Sequence, residues 1–423
     1  MRTGRGAPPE GKISRTNPFR NLHSKVHRLN PLLNQVAIVL PNFLSILLLK
    51  KFGHPGEAGH LALLTSFAWL VFGIANAFSL EHSIIRVSSM SPVQRVQEVT
   101  RQYRTLALLL GVLCILKVLC FQTLFPDIPL GVLALDAVSS FFYLSFCFWS
   151  RLTLMLPQVQ RFLTQTLMLS IVGFVAVGAA LVFWNAISIE HLLVLSAGVY
   201  FFSCWRIVRL WSIDAASLMH APVEYRENLQ YFKKVYWGSL LSWIPTNIYY
   251  YFLAFFGDTL TDIENLRVIL IFQQPLIHII TSYNVVGIQR LSAATDRPVA
   301  ARKMISRWLL GVLGAVVAVN LCSVWILDLF DIQSLTNRVV FSIVSLLPIF
   351  TCIITVAGAL FKLEGRGEVT SHTGTFSALF DLTVGVFLVW KFSMLGAAVA
   401  MVSSLCINAM LLLRYSLFLG KVK

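Results

Sequence analysis

Two charged residues of this sequence stand where charge is expensive. Lys117 and Asp136 interrupt long apolar runs on either side of a turn at Asp127–Pro129. Both lie seven to ten residues from that turn, roughly 10–15 Å down two antiparallel helices at 1.5 Å per residue. A charge in hydrocarbon costs at least ~2.5 kcal/mol on insertion scales, so the two are expected to pair. The pair reads either as a structural ion pair or as an ammonium that holds an anion while the carboxylate holds or releases it; a Lys117 that snorkels outward does neither. Asp381 lies mid-run with only His372 near it in sequence. A buried carboxylate of that kind either stays protonated, hydrogen-bonded in the packing, or titrates as a coupling group. His278 has the same two readings. Asn34, Asn42, Asn247, Gln273 and Gln274 are amides within apolar runs, suited to interhelical hydrogen bonds worth about 0.6 kcal/mol each.

The elements that position these groups follow from composition. Of 423 residues, 57% are apolar and 13% charged, against about a quarter charged in soluble domains, and mean hydropathy is +0.74. The apolar stretches run about 20 residues without period-2 alternation, so they read as membrane helices. Twelve can be marked, roughly at 30–50, 60–83, 105–125, 130–150, 163–184, 191–211, 236–256, 266–288, 308–327, 339–361, 373–391 and 394–417. The last two are separated only by the Lys391–Met394 region. All seven cysteines fall inside apolar runs with no metal-ligand spacing, so they read as packing residues. No glycine-rich phosphate loop is present, which argues against a nucleotide cofactor. The net charge of +15 follows the membrane rather than a nucleic acid.

Placing the N-terminus inside puts 28 of the 34 Lys and Arg residues in inside tails and loops. Outside loops and flanks hold Lys50, Lys51, Arg267, Arg338 and Lys391, together with Asp258, Asp262, Glu264, Asp328 and Asp331. That asymmetry predicts cytoplasmic tails at both ends. Arg86 and Arg290, at inside ends of spans 2 and 8, are accounted for by topology or by a gate that draws in an anion. The expected organisation is a basic tail (1–28), a six-helix bundle (29–211), a linker (212–235), a second bundle (236–417) and a short tail (418–423).

The halves resemble each other at an offset of 204. Pro41 falls on Pro245, Leu49 on Leu253, Phe52-Gly53 on Phe256-Gly257, Arg86 on Arg290, Ser88 on Ser292, and Asp127-Ile128 on Asp331-Ile332. Two parallel six-helix repeats are a secondary-transporter arrangement, with the substrate path between them. Pro41 and Pro245 are predicted to bend spans 1 and 7 as hinges, or simply to make them irregular.

Span 1 and its exit, KKFGHPGEAGHLALLTSF (Lys50–Phe67), resemble the opening of the polysaccharide flippases, with Gly53, Pro55 and Gly59 at the turn positions. Arg267–Ser292, with Pro275 mid-helix, is similar to that family's span 8. The resemblance points to the multidrug/oligosaccharidyl-lipid/polysaccharide superfamily, nearest the O-antigen (Wzx-type) flippases. It implies two bundles forming a V around a central cavity in the inner membrane. Through them an undecaprenyl-diphosphate-linked oligosaccharide passes outward, without enzymatic chemistry, cofactor or metal. Membrane lipids, and a polysaccharide polymerase or other assembly proteins, are the implied partners. On this reading Lys117, Arg86 and Arg290 meet the diphosphate. Asn42, Asn247 and Gln273 contact sugars, and Tyr250 with its aromatic neighbours stacks on sugar faces. Asp136, Asp381 and His278 are coupling candidates. An ion-coupled small-molecule antiporter on the same fold is the alternative; a membrane glycan polymerase or ligase fits less well, because the outside loops are short and acidic.

Overall fold

The computed structural model describes residues 18–80, 83, 90–154, 159–211, 213, 221–223, 225–256, 260–280, 291–292 and 294–419, and no strand occurs among them. The first half is helical over α1 (Pro18–Phe52), α2 (Glu57–Ala75, continued by a π turn at Asn76–Leu80), α3 (Pro92–Leu124), α4 (Leu130–Leu154), α5 (Gln160–Phe183) and α6 (Ile189–Leu210). The second half follows with α7 (Tyr225–Phe255), α8 (Leu260–Ile271), α9 (Arg297–Leu321), α10 (Ser323–Leu329), α11 (Leu335–Val344), α12 (Leu347–Leu363), α13 (Glu368–Phe380, then a π turn at Asp381–Gly385) and α14 (Val386–Leu419).

Polar residues start the helices where the chain meets water. Ser91 and Gln94 form a capping box with Pro92 in the first turn of α3. Ser188 Oγ accepts from His191 N, Asp296 Oδ1 from Val299 N, and Ser334 Oγ from Asn337 N. Among the described residues nine helices are long and apolar enough to cross a membrane. A tenth counts if α8 and Gln274–Ile280, bent by 42° at the intervening break, form one span.

One of the nine is the 49-residue stretch Glu368–Ser416. Ser393 there takes non-helical angles (φ 51°, ψ −131°), and the Ser377 and Ser404 hydroxyls hydrogen-bond at 2.6 Å. A straight helix would hold residues that far apart about 40 Å from each other. The chain therefore folds back on itself, at the position where the sequence separates its last two apolar runs.

The halves pack along α2 and α7, which run antiparallel. Ser66 donates to Tyr251 Oη (2.9 Å) near one end, and Phe78 meets Phe232 edge-on (5.9 Å) near the other. Phe43 of α1 contacts Phe272 just beyond α8. One buried cluster joins the halves, with Ile46, Leu63 and Phe121 against Leu253, Ile269 and Met401. A second, around Trp149, Phe146 and Tyr200, lies in the first half alone. The outer surface carries exposed Leu310, Leu321, Phe183, Trp184 and Trp390, as lipid-facing surfaces require. Ile128 and Ile332, equivalent in the repeat, are both buried in the turns after α3 and α10.

Candidate functional site

In the first half, Lys117 Nζ pairs with Asp136 Oδ2 and reaches Ser140 Oγ at 3.3 Å, with the two charged side chains only 2% and 4% exposed. α3 and α4 bring them together because Lys117 lies seven residues before the end of α3 and Asp136 six residues after the start of α4. Asp136, Ser139 and Ser140 also face a cavity of about 60 Å³ with Asn42, Tyr143 and Ser196. That is room for a few waters. Both amide atoms of Asn42 and the Tyr143 hydroxyl are buried there without hydrogen-bond partners.

Asp381 is fully buried in the π turn after α13. It accepts hydrogen bonds from Tyr249 Oη and, at 2.7 Å, from Ser404 Oγ. Its partners are thus hydroxyls from α7 and α14. Gly385 makes room for this contact, since a Cβ there would lie 2.8 Å from Tyr249 Oη. The extra residue of a π turn turns Asp381 toward α7 and leaves no mark in an apolar periodicity.

The remaining predicted residues are dispersed. Asn247 bonds within its own helix, to Trp243 O (3.2 Å) and Thr246 Oγ1 (2.9 Å), in the turn after Pro245. Pro41 and Pro245 are both buried inside continuous helices. Gln273 is fully buried at the break after α8, with neither amide atom partnered. His278 stacks on Trp69 across the halves at 6.5 Å. Tyr250, expected to present its ring to a sugar, is instead enclosed in the core joining the halves. Arg86 and Arg290 lie outside the described residues.

Arg267 is the main departure from the sequence reading, which counted it with the outside flanks. It sits two turns inside α8 and is 2% exposed. Its Nη1 donates to Tyr250 Oη (3.2 Å), and the guanidinium lies over that ring at 5.6 Å. Nε and Nη2 have no partner, and no carboxylate lies within 4 Å of it among the described residues. A buried guanidinium with no carboxylate beside it is costly, which makes it a place for an anion to go. Its signal in the sequence was an arginine three residues past Glu264 with apolar residues following.

The Lys50 end of the molecule is latched. Lys50 Nζ meets Glu264 Oε2 at 3.0 Å, and the Gly56 amide donates to Glu264 Oε1 at 2.8 Å. Lys51 meets Asp331 at 2.9 Å. Gly56 has φ +91°, which favours glycine. At Gly59 a Cβ would come within 2.8 Å of Leu260 O, so α2 and α8 touch backbone to backbone. The glycines of the span 1–span 2 turn thus close one end of the interface between the halves.

No protein-family model and no curated protein matches the sequence. Solved structures do match. A multidrug-resistance MATE family transporter of the MOP superfamily, in an inward-facing conformation, is similar with a TM-score of 0.67 and 12% identity, over 93% of this chain and 97% of that one. The lipid II flippase MurJ in an inward closed conformation gives 0.65 and 15%, over 93% and 87%. A MOP superfamily transporter from Pyrococcus furiosus gives 0.62 and 14%, over 94% and 95%. At these identities the likeness is one of fold: the chain has the architecture of these transporters over nearly its whole length.

Proposed function

We propose that the chain is a flippase that carries an undecaprenyl-diphosphate-linked oligosaccharide across the inner membrane, from the cytoplasmic to the outer face, for surface polysaccharide assembly. It works by alternating access, with twelve spans, both termini cytoplasmic and the Lys50 end facing outward. The supporting observation is Arg267, a buried cation whose free N–H groups suit a diphosphate better than a cationic drug. Lys117, for which the sequence leaves both a structural and a diphosphate-binding role open, is already compensated by Asp136. In the latched state Arg267 is shut off from the Lys50 end. The diphosphate enters past Arg86 and Arg290 at the cytoplasmic entrance, and opening of the seam between α1 and α8 releases it outward. The fold shared with MurJ is compatible with such a cargo.

Deletion of the gene, followed by measurement of lipid-linked intermediates on each membrane face, tests the proposal. The expected result is accumulation on the cytoplasmic face, reproduced by Arg267→Ala and partly relieved by Arg267→Lys. Unchanged outer-face glycan in the deletion strain refutes it.

The second reading is an ion-coupled antiporter of small molecules, favoured by the buried Asp381 with its hydroxyl partners and by the MATE fold. It predicts that proteoliposomes release a cationic dye in response to an imposed proton or sodium gradient, and that Asp381→Asn abolishes this.

A further inference from the structure

At the Lys50 end a second cavity, of about 410 Å³, opens between α8, the turn that starts α11 and the end of α1. Its size falls within the range of small-molecule sites. Most of the wall is polar: Asn265 from α8, Gln333 from the turn, Asn337 from the first turn of α11, and Asp262, Asp331 and Lys50 around them. Asn265 Oδ1 is buried without a hydrogen-bond partner. Asn337 is held in place, its Nδ2 donating to Ile332 O at 3.0 Å, and Ser334 is committed to capping α11. Buried Ile332 and Met394 add an apolar patch.

The charges on this wall select the ligand. Lys50, its only cation among the described residues, is engaged by Glu264, and Asp331 by Lys51. Among the described residues the wall thus keeps no uncompensated cation to hold a phosphate, and a polyol needs none. Each sugar hydroxyl both donates and accepts, matching a wall of amides, hydroxyls and carboxylates, and its C–H faces match the apolar patch.

We propose that this cavity is a saccharide subsite, holding sugar units of the transported glycan near the outer surface while the diphosphate is held elsewhere. The inference rests on the flippase reading above. Because Lys50 comes from the first half and the rest of the wall from the second, the site is complete only while the latch is closed. Sugar binding therefore favours the closed Lys50 end, by its differential affinity for that state.

The test places the photoreactive residue p-benzoylphenylalanine at Thr336, on the cavity wall, and at lipid-facing Leu310 as control. Cells are labelled with tritiated hexose and with radioactive phosphate, then irradiated. Tritium is expected on the Thr336 variant and not on the control. Mild acid, which cleaves the sugar–phosphate bond, should then remove the phosphate label and leave the tritium. An independent arm uses Asn265→Leu with Gln333→Ala, expected to lower glycan export at least fivefold at unchanged protein abundance. The subsite alone is refuted if deletion blocks export but the Thr336 variant exports normally without acquiring tritium. It is also refuted if acid removes the tritium and leaves phosphate, or if the double variant exports normally. If deletion leaves export unchanged, the flippase reading falls and the subsite with it.

Discussion

Replacing Lys117 by alanine isolates the energetics of the buried pair. The side chain is 2% exposed and gives its ammonium to Asp136 and Ser140. Its loss leaves a carboxylate that is 4% exposed. Breaking a buried pair from one side costs about 3–5 kcal/mol, and insertion scales put a lone mid-membrane charge near 2.5–3.5 kcal/mol. The small cavity beside Asp136 admits some solvation, so the expected loss is about 3 kcal/mol, roughly a hundredfold in the folding equilibrium. The assay is heating of a fluorescent-protein fusion in detergent followed by size-exclusion chromatography. Lys117→Ala should lower the midpoint by several degrees and reduce membrane abundance. Changing both residues to leucine removes both charges and fills the space, and is expected to fall within about 1 kcal/mol of the parent. If the pair is purely structural, that variant also exports normally. If Lys117 holds the diphosphate, the double variant is abundant but inactive. A double leucine variant no more stable than Lys117→Ala refutes the reasoning about the uncompensated carboxylate.

Gly385→Ala should destabilise by about 1–3 kcal/mol through overpacking against the Tyr249 hydroxyl, and Tyr249→Phe should remove most of that penalty when the two are combined; additive losses in thermal melts refute the contact. Lys50→Ala should weaken the closed Lys50 end, detected as faster labelling of a cysteine placed at Ala58, whereas Lys51→Ala should change little because its partner Asp331 is 81% exposed. Reporter fusions at Val223 and Ala300 should both report the cytoplasmic face; either one reporting outside overturns the topology.

Membrane class, the hairpin at the chain's end and the Lys117–Asp136 contact were all legible in the order of residues. Each depends on local information: hydropathy over about 20 residues, a break at Lys391–Met394, and depth counted along two helices joined by a short turn. The sequence also marked Gly53, Pro55 and Gly59 as a turn of consequence. What it could not supply is the partner of each group across long separations. Asp381 meets Tyr249, 132 positions away, through a π turn that shifts its direction. Glu264 meets Lys50 across 214 positions. Charge counting put Arg267 at an aqueous flank, because a basic residue near a helix end contributes the same to a topology sum whether it points to water or to the interior. Tyr250 was placed near a sugar path for its residue type, but the packing of α7 against α8 buried it beneath that arginine. Periodicity states which residues avoid water; only the tertiary structure decides which buried polar groups meet and which are left without a partner.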